Sequence, residues 1–139
     1  MAEFTAAAPQ TVQPNRNVLF NNACECGCKC VHHRRGSGIL TLKKCRNTCD
    51  NRYKVSFGAN IAIPTGGAVA PISVALAING EPLAGSTAIV TPAAVENFFN
   101  VSLETFVDSP CGCCTQVSVV NTSDAAITVQ NANIIVTHA

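Results

Sequence analysis

The sequence predicts an all-β protein, an antiparallel β-sandwich of jelly-roll type with an extended N-terminal arm. Three observations carry that expectation. Apolar residues alternate with small or polar ones at a period of two in several runs, turn signals separate the runs, and no long run follows the 3.6-residue period of an amphipathic helix. About eight short strands spaced in this way suit a sandwich whose two sheets share one core.

Residues 1–17 are small and polar, contain Pro9 and Pro14, and read as an arm with no core of its own. Val18-Leu19-Phe20 then reads as a short anchoring strand, Gly36-Ser37-Gly38 as a turn, and Ile39-Leu40-Thr41-Leu42 as a strand. From Tyr53 the alternation is sustained: Val55, Phe57, Ala59, Ile61 and Ile63 fall on one face, with Ser56, Gly58, Asn60 and Ala62 on the other. Pro64-Thr65-Gly66-Gly67 ends that strand. The next run turns Ile72, Val74, Leu76 and Ile78 toward a core and leaves Ser73, Ala75 and Ala77 on a face able to lie against another surface; it closes at the hairpin signal Asn79-Gly80. Residues 87–91 form a short strand, and Thr91-Pro92 before Ala93-Ala94-Val95-Glu96 suits one turn of helix. The alternation over 99–107 is broken by Asp108-Ser109-Pro110, and 116–120 and 127–136 are the last two strands, joined by the turn Asn121-Thr122-Ser123-Asp124.

Charge divides the chain at Lys54. All nine Lys and Arg residues lie between Arg16 and Lys54, whereas residues 55–139 contain neither and carry five acids, Glu81, Glu96, Glu104, Asp108 and Asp124. Opposite charge zones of this kind can attract one another within a subunit or between subunits. The expected organisation is an arm over 1–23, a basic cysteine-rich connector over 24–54 that packs with or onto the head, and a β-sandwich head over 55–139. Only 12% of residues are charged and 47% are apolar, which points to surface buried in a homo-oligomer. No run approaches the roughly 20 apolar residues that span a bilayer. The N-terminus opens with Glu3 and lacks a basic region and a continuous apolar core, so no secretory signal is expected and any export follows another route.

The nine cysteines are odd in number, so at least one stays unpaired, binds metal or joins another chain. Cys24, Cys26, Cys28 and Cys30 form a C-x-C-x-C-x-C ladder. In an extended strand successive members lie roughly 6.5–7 Å apart, too far for an unstrained bridge, so their partners are sought elsewhere. Cys45, Cys49, Cys111, Cys113 and Cys114 are the candidates, in the same or an adjacent subunit. The rival reading is a zinc or copper site on Cys24, Cys26, Cys28, Cys30, His32 and His33, although the ladder lacks the paired spacing of structural zinc sites. Arg34, Arg35, Lys43, Lys44, Arg46 and Arg52 form a basic patch. With almost no aromatic residue interleaved and an acidic remainder, it suits subunit contact better than nucleic acid. No nucleophile elbow or phosphate loop occurs and the acids are scattered, so neither an enzyme nor a cofactor is expected. A glycan-binding or receptor-binding head is a further alternative, but the chain has no Trp and one Tyr for stacking. The sequons at Asn100 and Asn121 are attributed to chance.

The stretch YKVSFGANIAIPTGGAVAPISVALAINGEPLAGSTAIV, with NFFNVSLETFVDSP and the closing NANIIVTHA, resembles jelly-roll heads related to tumour necrosis factor and complement-type domains. Such heads cap bacterial spore-surface (exosporium) proteins, and the pattern is also similar to short virion-surface proteins of phages of Gram-positive bacteria. The resemblance covers roughly residues 11–139. It implies a non-enzymatic homotrimer on a virion or spore surface, assembled inside the cell and released by lysis, with itself and possibly other particle-surface proteins as partners. The chain departs from the pattern in its dense cysteine ladder and in the absence of a collagen repeat, which favours a disulfide-reinforced filament or particle.

Overall fold

The structure, a computed structural model, describes residues 2–24, 31–43, 51–109 and 114–139; for Ala23, Cys24 and Asn51 it describes the backbone only. Among the described residues, twelve strands pair antiparallel in two sheets: β1 (Ala2–Ala6), β2 (Gln10–Val12), β3 (Asn22–Cys24), β4 (Val31–His33), β5 (Leu40–Leu42), β6 (Asn51–Ala62), β7 (Ile72–Ile78), β8 (Glu81–Pro82), β9 (Ala88–Val90), β10 (Phe99–Ser109), β11 (Thr115–Asn121) and β12 (Ile127–His138). The first sheet runs β10-β6-β12-β1-β3, with β2 beside the start of β12. The second runs β4-β5-β11-β7-β8, with β9 beside the start of β7. The fold is the predicted all-β sandwich.

The period-two pattern fixes which side of each strand meets the core. Val55, Phe57 and Ile61 of β6 and Ile134 and Val136 of β12 face Leu40 and Leu42 of β5, Leu76 of β7 and Val117 and Val119 of β11, all fully or nearly fully buried. Ring edges lock part of this layer: Phe20 meets Phe57 edge-on with centroids 6.4 Å apart. The alternation slips once, between Gln130 and Asn133 of β12, where Asn131 adopts a φ of 54°. That extra residue lets Val129 and Ala132 both point inward on either side of the bulge, and the Asn131 N–H donates to the Ala7 carbonyl. The hairpin forms at Asn79-Gly80, whose φ angles of 51° and 88° are the pair of left-handed values a two-residue turn between twisted strands requires.

Residues 2–20 turn once, at Asn15 with a φ of 61°, and they are not an arm without a core. Strand β1 is hydrogen-bonded between β12 and β3, and Ala2, Phe4, Ala6, Val12, Val18 and Phe20 are all buried. The alternation Ala2, Phe4, Ala6 is too weakly apolar to read as a strand alone; pairing with β12, more than a hundred residues away, makes it one. The trio at 18–20 is no strand. Its Val18 and Phe20 N–H groups donate to Val119 and Ser37, and the segment passes so close to Gly38 that a Cβ there would lie 2.5 Å from the Val18 oxygen. Nor is Lys54 a boundary, since β6 runs through it and β4 and β5 join the second sheet.

The helical turn expected after Pro92 is absent. Glu96 takes a φ of 58° and its N–H donates to the Ile63 carbonyl, an alternative partner that ends any helix there. A short 3-10 turn forms instead at Ala84–Ser86, where the buried Ser86 hydroxyl sits against Leu83 and Leu76 backbone. Ala75 and Ala77, expected on an available small-residue face, are fully buried.

Candidate functional site

The connections that carry the cysteines open at one end of the sandwich. Val31 pairs with Leu42 and Leu42 with Thr115, so the start of β4, the end of β5 and the start of β11 lie side by side. Asn51 pairs with Ser109, joining the start of β6 to the end of β10. The two sheets are tied together at this end: the Ser109 hydroxyl donates to the Leu42 carbonyl at 3.4 Å, and the Tyr53 hydroxyl to the Lys43 carbonyl. Strand β3, antiparallel to β1 with Cys24 opposite Glu3, leaves in the direction of Ala2, at the level of Val136 and Val55. Cys114 is exposed just before β11. Cys26, Cys28, Cys30, Cys45, Cys49, Cys111 and Cys113 lie outside the described residues, on the three connections that begin and end here.

The two histidines of the rival metal set part company. As neighbours on β4 they project to opposite sides of the sheet. His33 packs against Phe4 and Phe20 at centroid distances of 4.7 and 6.5 Å, with Nε2 2.7 Å from the Ser37 carbonyl oxygen. His32 is exposed on the outer side. One ion therefore does not take both rings on this backbone, and among the described residues no group of three or more His, Cys, Asp or Glu side chains gathers.

The basic residues do not form one patch. Arg34 and Arg35 stand in the turn beyond the far end of β4, whereas Lys43 follows β5 at the cysteine end. Arg52 is engaged within its own subunit, 3.6 Å from Asp108 and 4.5 Å from the centre of the Phe106 ring, and Lys54 lies 3.3 Å from Glu104. Thus part of the basic zone meets part of the acidic zone across β6 and β10, in exposed pairs worth about 0–1 kcal/mol each. Lys44 and Arg46 lie outside the described residues.

The outer face of the first sheet is ordered by charge. Glu3, Arg52, Lys54, Glu104 and Asp108 all sit toward the cysteine end. Beyond them, one complete row across the five strands reads Ser102, Gly58, Asn133, Thr5 and Asn22, every one uncharged and none larger than asparagine. The next row reads Asn100, Asn60 and Gln130. On the opposite sheet, Asn15, Asn17, Asn79, Gln116 and Ser118 converge on a cleft of about 320 Å³. Sequence reasoning looked for aromatic rings and passed over these amides, which come from three separate segments and share no motif.

No family model matches the chain, and no curated protein matches it. The globular domain of zebrafish complement 1qA protein is similar in fold, with a TM-score of 0.56 over 96% of this chain and 94% of that one at 10% identity. The EclA C-terminal domain, described as a sugar-binding protein, matches at 0.43, with 18% identity over 94% and 80% of the two chains. Rabbit GITRL matches at 0.40, with 17% identity over 76% and 75%. The last two scores are too low to bear on function, and the first establishes a likeness of fold to a complement-type head.

Proposed function

We propose that this chain is a structural, non-catalytic head subunit that assembles with copies of itself, as a homotrimer or a higher assembly, on the surface of a virion or a spore filament. The observation that carries this reading is the uncharged row from Ser102 to Asn22 on the first sheet. A sheet face bathed in water ordinarily carries interspersed charges, whereas the centre of a subunit interface is depleted of them. Small side chains such as Thr5 and Gly58 let a flat partner approach closely. The likeness of fold to a complement-type head supports the same reading.

In this reading the cysteine end reinforces the assembly by disulfides. The nine cysteines are odd in number, so at least one thiol is left over from pairing within the chain and is available to a neighbouring copy. Oxidation follows release of the particle by lysis, outside the reducing cell interior. Sedimentation equilibrium tests the assembly: the full chain behaves as about three times 14.5 kDa or more. Thr5→Arg with Ser102→Arg weakens association by about 100-fold through repeated like charges, with an unchanged β-sheet spectrum. A wild-type monomer, or a double variant that associates as tightly, overturns the reading.

A further inference from the structure

We infer that the cleft on the outer side of the second sheet binds one unit of a neutral saccharide. Its floor is β11, whose alternate residues Gln116, Ser118 and Val120 face outward, and its walls are Asn15 and Asn17 on one side and the β7–β8 hairpin on the other. Its volume of about 320 Å³ lies at the lower end of the usual range for small-ligand sites, roughly 300–1,000 Å³.

The chemistry of the lining selects the ligand class. Among the described residues, none lining the cleft is charged, so it offers no counter-ion to a phosphate, a carboxylate or a metal. It offers primary amides and a hydroxyl, each able to donate and accept, which is the pairing that vicinal sugar hydroxyls require. The backbone holds these groups in place. Asn79 accepts the Gln116 N–H at 3.0 Å through Oδ1, which orients its amide and leaves its NH₂ for a ligand. The Asn15 N–H donates to the Asn121 carbonyl at 2.9 Å, and Asn17 bridges to Val120. The side chains of Asn15, Asn17, Gln116 and Ser118 form no hydrogen bond with other described residues, so their polar groups face the cleft unspent. Ile39, Pro82 and Val120 supply apolar surface for the C–H face of a pyranose.

Other ligands fit less well. A peptide cannot join as an added strand, because β11 is paired on both edges, by β5 and β7. A nucleobase would find no ring to stack on among the described residues that line the cleft. The cleft lies on the sheet opposite the proposed contact face, so this inference stands or falls apart from the assembly reading.

The test is an amide-resolved nuclear magnetic resonance titration of the full chain with the methyl glycosides of glucose, galactose and N-acetylglucosamine, and with inorganic phosphate. At least one glycoside shifts the resonances of Asn17, Asn79, Gln116 and Ser118 saturably, with a dissociation constant on the order of 1 mM, as ligand efficiency sets for so small a polar ligand. Asn17→Ala with Gln116→Ala weakens that binding about tenfold or more while resonances on the other sheet stay in place. The inference is overturned if no glycoside shifts the cleft at about 100 mM, a hundredfold above that constant. Saturable shifts confined to another surface, cleft binding of phosphate alone, or a double variant that binds unchanged overturn it equally.

Discussion

Asn121 ends β11 with its side chain fully buried, donating from Nδ2 to the carbonyls of Val12 at 2.9 Å and Ala125 at 3.0 Å while Oδ1 accepts the Ser123 N–H. A truncation to alanine strands several buried groups at once, so Asn121→Ala costs about 2–4 kcal/mol and lowers the melting temperature by roughly 10 °C in a thermal scan. The sequence marks this residue only as a turn former and a sequon, because its acceptors are brought to it by β2 and by the loop before β12. Its burial also removes it as a glycan acceptor in the folded chain. Arg52 makes the opposite case. Its partner Asp108 and its ring Phe106 are both exposed, so Arg52→Ala changes stability by less than about 1 kcal/mol, as measured by denaturant unfolding. The core positions of β6 were legible from Val55 to Ile61, where strict alternation leaves one face to bury; Ala62, expected on the other face, is fully buried as well.

Strands differ in how far their own residues announce them. β6, β7, β10 and β11 carry enough branched and aromatic side chains to be read alone, and their observed ends differ from the predicted ones by at most a few residues. β1 does not, because its polar positions Glu3 and Thr5 and its small positions Ala2 and Ala6 acquire meaning only between β12 and β3. Deleting residues 1–9 therefore removes an interior strand of the first sheet and the strand against which β3 pairs. The shortened chain is expected to lose cooperative unfolding in a circular dichroism melt, whereas a dispensable arm would leave the transition where it was. The hairpin is a sharper local device. With Gly80 at a φ of 88°, Gly80→Ala costs about 1 kcal/mol without change of register. The bulge at Asn131 escaped the sequence because an inserted residue looks like an ordinary lapse of pattern until its neighbours β1, β2 and β6 are in place.

At the scale of the molecule, the division of charge at Lys54 is not a division of structure. The basic half of the chain contributes β1 to β5 and the start of β6, threading both sheets, and two of its cations meet acids of the other half on the same face. What the division does mark is an end: Glu3, Arg52, Lys54, Glu104 and Asp108 gather at one end of the first sheet, while the rows from Ser102 and from Asn100 are uncharged. The fold class was legible because sandwiches are patterned locally. The neutral row and the cleft were not, because each gathers residues from three or more distant segments. Electrophoresis of the oxidised chain without reductant is expected to give a ladder of multimers that collapses on reduction, and a monomer band under both conditions would exclude cross-links between subunits. The measurement that bears most directly on self-assembly through the neutral row is sedimentation equilibrium of the fully reduced chain, in which covalent links make no contribution. The account predicts a species of at least three subunits that dissociates in the Thr5→Arg, Ser102→Arg variant; a reduced wild-type chain that sediments as a monomer of 14.5 kDa would contradict it.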